Sequence, residues 1–545
     1  MASDSAPRSA LEAWLGAAFV TVVSTVYGGS LILARLKYQA STDSHYHFAV
    51  AREIVQGKLR GEAEPHLPWT ILVQLPVDHY FGFHLLLAPF AALPNAVLGL
   101  KLATLAFFVA VPLCLFWFLR ARGAHLAWAW SLLALLFSNQ DWRYLMLRGG
   151  NLILVLSLVF LQAAFFSANV RRRRIGIVGV SYLAALCYQG GIVLLPLHLA
   201  ALATTFALRR DLLEKRQLWE PLLTVLGLAL GFVINPYMNG HAATLKFLWF
   251  HISYMDADPA GLYPGLREFG PIPLDYLTAN PEFIVAPCVV LFVAGWVVLR
   301  ARRGRPPSYA VAVSLGAALA GIVLSARAIR MREYAVPWAI LFLGVATPPL
   351  SLRTSTMRRA ASLALGVAVC LFLLIKWPDT YDLLGEHLPT AQYQGARQVL
   401  EAHRGPPVLN IAEGDYTTLR WEDPGVATVQ GLSHYFLYPN RPVFDDVTII
   451  RDSRDRTARL GALQRFYARG VRLVAVQHRN SVFRLLERYP AAFQLVYRSP
   501  YPQVSKYFAS SIYVMDGPRI HAAIAQSAEP DGEDEPPPRA APSQE

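Results

Sequence analysis

Thr42-Asp43-Ser44-His45-Tyr46-His47-Phe48-Ala49-Val50-Ala51-Arg52-Glu53-Ile54 follows closely on the first long apolar segment of the chain, residues 11–34. It packs a carboxylate, two imidazoles, a phenol and an arginine into about three helical turns. A second polar knot, Asp78-His79-Tyr80-Phe81-Gly82-Phe83-His84, closes the same loop. The segment before it is long enough to cross a bilayer. Titratable chemistry this dense at the end of such a segment sets the reading of the whole chain, as membrane spans that carry a polar reaction face.

The composition agrees. Of 545 residues 54% are hydrophobic and 16% charged, where soluble domains carry about 25% charged residues. Apolar blocks of span length recur, which predicts a polytopic α-helical membrane protein of about 11 transmembrane helices. The net charge of +13 falls largely in arginine clusters between spans, a topology signal. Basic and aromatic residues are not interleaved as a nucleic-acid track requires. Cys114, Cys187, Cys288 and Cys370 all lie in apolar blocks, where Cys behaves as a small hydrophobe. The C-terminal region therefore has no disulfide framework or cysteine zinc site available. The first apolar block is long for a signal peptide and reads as a retained signal-anchor.

Spans are expected at 11–34, 95–119, 125–137, 151–168, two within 175–208, 218–234, 283–299, 309–324, 335–346 and 360–375, with a surface helix at 81–93. Basic clusters at 171–174 and 209–216 require an even number of crossings between them. The alternation puts the N-terminus in the cytoplasm. Loops 35–80, 139–150, 235–281 and 325–333 then face outward, as does everything after 375. Arg327, Arg330 and Arg332 break the rule. A miscounted span explains them, or an anionic ligand at the mouth of a span. Three regions are expected: a transmembrane domain 1–375, an extracytoplasmic α/β domain 376–525 and a disordered acidic, Pro-rich tail 526–545. In the α/β domain, 408–411, 471–476 and 511–515 read as strands and 456–467 as a helix.

The polar chemistry gathers in the outward loops, while the spans hold few ionisable groups. Lys101 reads as a snorkelling residue, and His198 as a satisfied packing residue. Carriers driven by ions usually bury carboxylates in their spans, which weighs against one. A reaction at the outer face has no cytosolic nucleotide donor, so a lipid phosphate is the fitting one. It needs a cation for the phosphate, a base for the acceptor hydroxyl and an apolar groove for the lipid.

Asp43-Ser44-His45-Tyr46-His47 with Ala51-Arg52-Glu53-Ile54, the knot at 78–84, and Arg332-Glu333-Tyr334-Ala335-Val336-Pro337 resemble motifs of the GT-C superfamily of membrane glycosyltransferases, oligosaccharyltransferases and protein mannosyltransferases among them. The resemblance implies a polyprenyl-phosphate-linked sugar donor, a glycan, lipid or protein acceptor, inverting transfer and residence in the inner (plasma) membrane. It also implies Asp43 as the catalytic base. Many relatives carry paired acids there, and this chain has Ser44 instead. The second acid is then Asp78, Asp141 or missing, and a divalent cation, magnesium or manganese, is left open. No organic cofactor is implied. His45, His47, Arg52, His79, Arg143, Arg330, Arg332 and Tyr334 are the expected substrate contacts.

Each residue has a plainer reading. Asp43 suits a helix N-cap, Asp78 a turn, and Arg332 an interfacial anchor paired with Glu333. His45 and His47 lie on different helix faces. The rival function is a lipid or polysaccharide transporter without transferase activity.

Overall fold

The computed structural model describes residues 10–34, 42–57, 66–70, 78–136, 143–238, 282–327, 331–347, 355–386, 393–412, 415–431, 437, 440–478, 480–499 and 509–527. The helices in order are α1 (Ala10–Ala34), α2 (Thr42–Val55), α3 (Phe81–Ala91), α4 (Ala96–Ala121), α5 (Ala127–Leu133), α6 (Gly149–Phe166), α7 (Val170–Cys187) and α8 (Leu194–Arg209). They continue with α9 (Pro221–Val233), α10 (Glu282–Arg302), α11 (Tyr309–Arg327), α12 (Arg332–Ala346) and α13 (Ser355–Glu386). A mixed region follows: α14 (Arg397–Ala402), β1 (Leu409–Asn410), α15 (Asp415–Glu422), α16 (Arg441–Asp452), α17 (Arg456–Ala468), β2 (Leu473–Gln477), α18 (Ser481–Arg488), β3 (Phe493–Arg498), β4 (Ser510–Met515) and α19 (Gly517–Ser527). The chain divides into two compact units. One holds α1, α3 to α12 and α13 as far as Tyr381; the other holds α2 and the mixed region.

Among the described residues of the helical unit, seven helices are long and apolar enough to cross a membrane. That count does not reach the eleven spans expected. α7 has the length but opens on four arginines, while α9 and α12 are 13 and 15 residues long. The largest departure is at 125–137, where the expected span is the seven-residue α5. Its Trp128 and Trp130 pack on Phe19 and Gly344, so this apolar stretch packs against neighbouring helices. Lys101 is a second departure, because it is buried within α4.

Side-chain contacts fix the helix directions. Trp14 meets Trp117 and Tyr27 meets Phe108, so α1 and α4 run antiparallel. Arg122 donates to Gln162 and stacks over Phe166, and Phe166 meets Tyr309. Arg173 pairs with Glu214 and Glu220 at 2.8 and 2.9 Å, and Arg209 donates to the Pro307 carbonyl. One end of the unit thus collects Arg122, Arg173 and Arg209, each beside its own arginine cluster. α7 leaves that end and α8 returns to it, as the even number of crossings requires. Arg173 itself is buried in an ion-pair triad, beyond any topological role. It holds the Glu214 carboxyl below its usual range. His198 is satisfied by Thr224 at 2.8 Å between the edges of Phe160 and Phe165.

The mixed unit is built on a four-stranded sheet of order β1-β2-β4-β3. β1 and β2 are parallel; β4 is antiparallel to both β2 and β3. The parallel pair needs a crossover, which α15, α16 and α17 provide. All five residues of β2 are buried, as a central strand covered on both faces must be. Leu400, Val408, Leu419, Leu473 and Ile512 share one core. The strands and helix expected at 408–411, 471–476, 511–515 and 456–467 are present, and β3 is an addition. Of the expected tail at 526–545, positions 528–545 lie outside the described residues.

Candidate active site

The decisive stretch forms α2, with Asp43 in its first turn and Arg52 in its last. Asp43, Tyr46 and Arg52 are partly exposed, whereas His45 and His47 are buried. The burial has a partner. His45 meets the edge of Trp421 at 4.7 Å, and Tyr46 lies 6.5 Å from Tyr416. Glu53 forms an ion pair with Arg420, whose guanidinium also donates to the Tyr416 hydroxyl at 2.6 Å. α2 is therefore docked along α15 within the mixed unit. α15 is pinned in turn. Asp415 accepts from the Ala412 amide at 3.3 Å and from Gln477 of β2 at 3.0 Å. Burial, with Asp415 close by, holds the Tyr393 phenol well above its ordinary pKa, so it stays protonated. Asp78 belongs to the same unit and is buried.

His79, Arg143, Arg332 and Tyr334 belong to the helical unit, at the end opposite the arginine clusters. The start of α6 gathers them. A Cβ placed at Gly149 would stand 3.2 Å from Tyr188 and Tyr80; one at Gly150 would stand 3.1 Å from Glu333 Oε2 and 3.6 Å from Tyr334 Oη. Glu333 forms an ion pair with Arg143. Asn151, read from sequence only as a helix start, donates to the Tyr144 and Met146 carbonyls at 3.0 and 2.9 Å and folds the 143–148 segment over the helix. Tyr80 stacks on Tyr188 at 5.1 Å, and His79 bonds with Gln189. Arg332 opens α12 and is only 5% exposed.

The expected site residues thus form two groups, one on α2 in the mixed unit and one around the start of α6 in the helical unit. Arg330 and Asp141 lie outside the described residues. The sequence reading missed Tyr416, Arg420 and Trp421. Two aromatics and an arginine on one short helix were the available signal. It also missed Glu333 as the partner of Arg143, a pairing across 190 positions with no local signature. Among the described residues no group of three His, Cys, Asp or Glu is placed to hold a metal ion.

No protein-family model and no curated protein matches the chain. Among solved structures it is similar to the crystal structure of the Archaeoglobus fulgidus oligosaccharyltransferase in the apo form. The TM-score is 0.54 at 12% identity, over 85% of this chain and 69% of that one. At that identity the likeness is one of fold, shared with that oligosaccharyltransferase structure over most of this chain.

Proposed function

We propose that this chain is a multi-pass membrane glycosyltransferase. It transfers a sugar from a polyprenyl-phosphate-linked donor to an acceptor hydroxyl, with inversion, at the extracytoplasmic face. The observation that carries the reading is the fold shared with an oligosaccharyltransferase over most of the chain. The chemistry of the two residue groups supports it. Asp43, partly exposed at the start of α2, takes the proton of the acceptor hydroxyl. The acceptor oxygen bonds to the anomeric carbon from the face opposite the phosphate. The bond from that carbon to the phosphate oxygen breaks, and the lipid phosphate leaves with the electron pair. Arg332, with Arg330, stabilises the leaving phosphate, as a preorganised cation does for a developing anion. Asp78 serves as the second carboxylate. His45, His47, Arg52, His79, Arg143 and Tyr334 orient donor and acceptor. No step is routed through a metal ion.

The test is transfer by purified protein from a panel of radiolabelled polyprenyl-phosphate sugars. Wild type is expected to transfer from at least one. Asp43→Asn is expected to lower the rate at least about 100-fold, the usual weight of a general base, while donor binding is kept. Cargo movement in liposomes without transfer would establish the transporter instead. An unchanged rate in Asp43→Asn would remove Asp43 from the chemistry.

A further inference from the structure

We infer that Glu333 is the positioning residue for the phosphate-binding arginine Arg332, held in place by Arg143 and by the glycine start of α6. The inference rests on the reading under Proposed function that Arg332 binds a lipid phosphate. Arg143 then orients the donor through Glu333 and Arg332.

Arg143 and Glu333 are each 8% exposed, so their ion pair is shielded from water and from salt. A buried pair contributes little net stability, because desolvation of both partners offsets their attraction. Its effect is geometric: it ties the start of α12 to the 143–148 segment. Glu333 is held from a second direction by the start of α6. Its carboxylate lies so near Gly150 that a single methyl group there would stand 3.1 Å from Oε2. The first turn of a helix carries partial positive charge, which favours a carboxylate at that place.

Further along, Trp338 Nε1 donates to Ser157 Oγ at 3.0 Å. Contacts at 333–150 and 338–157 advance together, so α12 runs parallel to α6 and is tied to it at two levels. Rotation and sliding of α12 are both fixed. Arg332 precedes Glu333, about 100° round the same first turn. Its backbone position is therefore set by the clamp on its neighbour. Tyr334, 4% exposed, follows on the other side with its hydroxyl toward Gly150.

The experiment measures binding of a radiolabelled polyprenyl phosphate to purified full-length protein, beside its melting temperature. The variants are Arg332→Gln, Glu333→Gln, Glu333→Asp and Gly150→Ala. Arg332→Gln is expected to weaken binding at least tenfold. Glu333→Gln is expected to weaken it about tenfold, with Glu333→Asp recovering most of the loss. In transfer assays the Glu333→Gln loss is expected in KM for the donor more than in kcat. Gly150→Ala keeps every charge and displaces only the carboxylate. It is expected to weaken binding threefold or more, and it carries the test if Glu333→Gln does not fold. Binding by Gly150→Ala and Glu333→Gln within twofold of wild type, with Arg332→Gln impaired, overturns the inference and leaves the functional reading standing. Wild-type binding by Arg332→Gln overturns the reading that Arg332 binds the lipid phosphate, whatever the transfer assay shows.

Discussion

Arg420 shows at the scale of one residue how the reactive stretch is held. It is buried on α15, and it reaches Glu53 at the far end of α2 from Asp43. Removing a buried partner costs about 3–5 kcal/mol. Glu53 is 30% exposed and can turn to water, so the cost here is smaller, about 1–2 kcal/mol. Arg420→Ala is expected to speed hydrogen exchange of the α2 amides about 10-fold or more relative to β2, the equivalent of that loss. Equal protection of α2 in both proteins would show that its aromatic contacts suffice.

His478 gives a second prediction at this scale. Its Nε2 bonds with Ser511 Oγ at 2.8 Å, and its ring stacks on Phe483. Burial first, and the charge of Arg498 second, lower its pKa, against a smaller opposing pull from Glu487. The unfolded state therefore binds the proton more readily, and stability rises with pH through the window just below the unfolded value of about 6.5. Protection of the β2–β4 amides, corrected for intrinsic exchange, is expected to fall as pH drops from 7 to 5. His478→Gln is expected to flatten that dependence.

At the scale of elements, small residues decide how closely the helices approach. Gly316 of α11 faces α8, where an added Cβ would lie 2.4 Å from Ala201 Cα and 2.5 Å from the Ala200 carbonyl. Backbone cannot give way as a side-chain end can. Close packing of this kind, rather than an apolar driving force, holds helices together in lipid. Thr204 Oγ1 adds a bond across the same contact to the Ala312 carbonyl at 2.8 Å. Gly316→Ala is expected to destabilise the protein by about 1–3 kcal/mol, the usual cost of overpacking, read as a lower melting temperature in detergent. Gly295 has nothing within 4 Å of an added Cβ, so Gly295→Ala is the matched control, with no loss expected.

At the scale of the whole molecule, the question is which side of the membrane each part faces. Arg122, Arg173 and Arg209 share one end of the helical unit, and the starts of α6 and α12 lie at the other. The extracytoplasmic reaction proposed above requires the arginine end to face the cytoplasm, the orientation the positive-inside rule favours. In a background with its native cysteines replaced, Asp445→Cys is expected to react with an impermeant maleimide on intact cells. Arg303→Cys is expected to react only after permeabilisation. The reverse pattern would invert the topology and remove the extracytoplasmic reading.

Most of the architecture was legible in the sequence because its determinants are local. Apolar runs mark α1, α4, α6, α10 and α11 whatever they touch, and arginines flag one end of the unit without reference to packing. β-branched runs likewise announced β2 and β4. The same local logic failed at 125–137, where hydrophobicity could not distinguish a span from a short helix packed among neighbours. It failed again at Lys101, where burial depends on which face of α4 is covered. For the candidate site, chain position alone places the polar residues at the ends of the apolar segments, from Asp43 on α2 to Arg332 on α12. That Arg143 meets Glu333, that Gly150 leaves room for that carboxylate and that α2 docks on α15 are properties of the folded chain. Those contacts join positions 183 to 367 residues apart. Their energies come from desolvated charges and close packing, which exist only once the chain has folded.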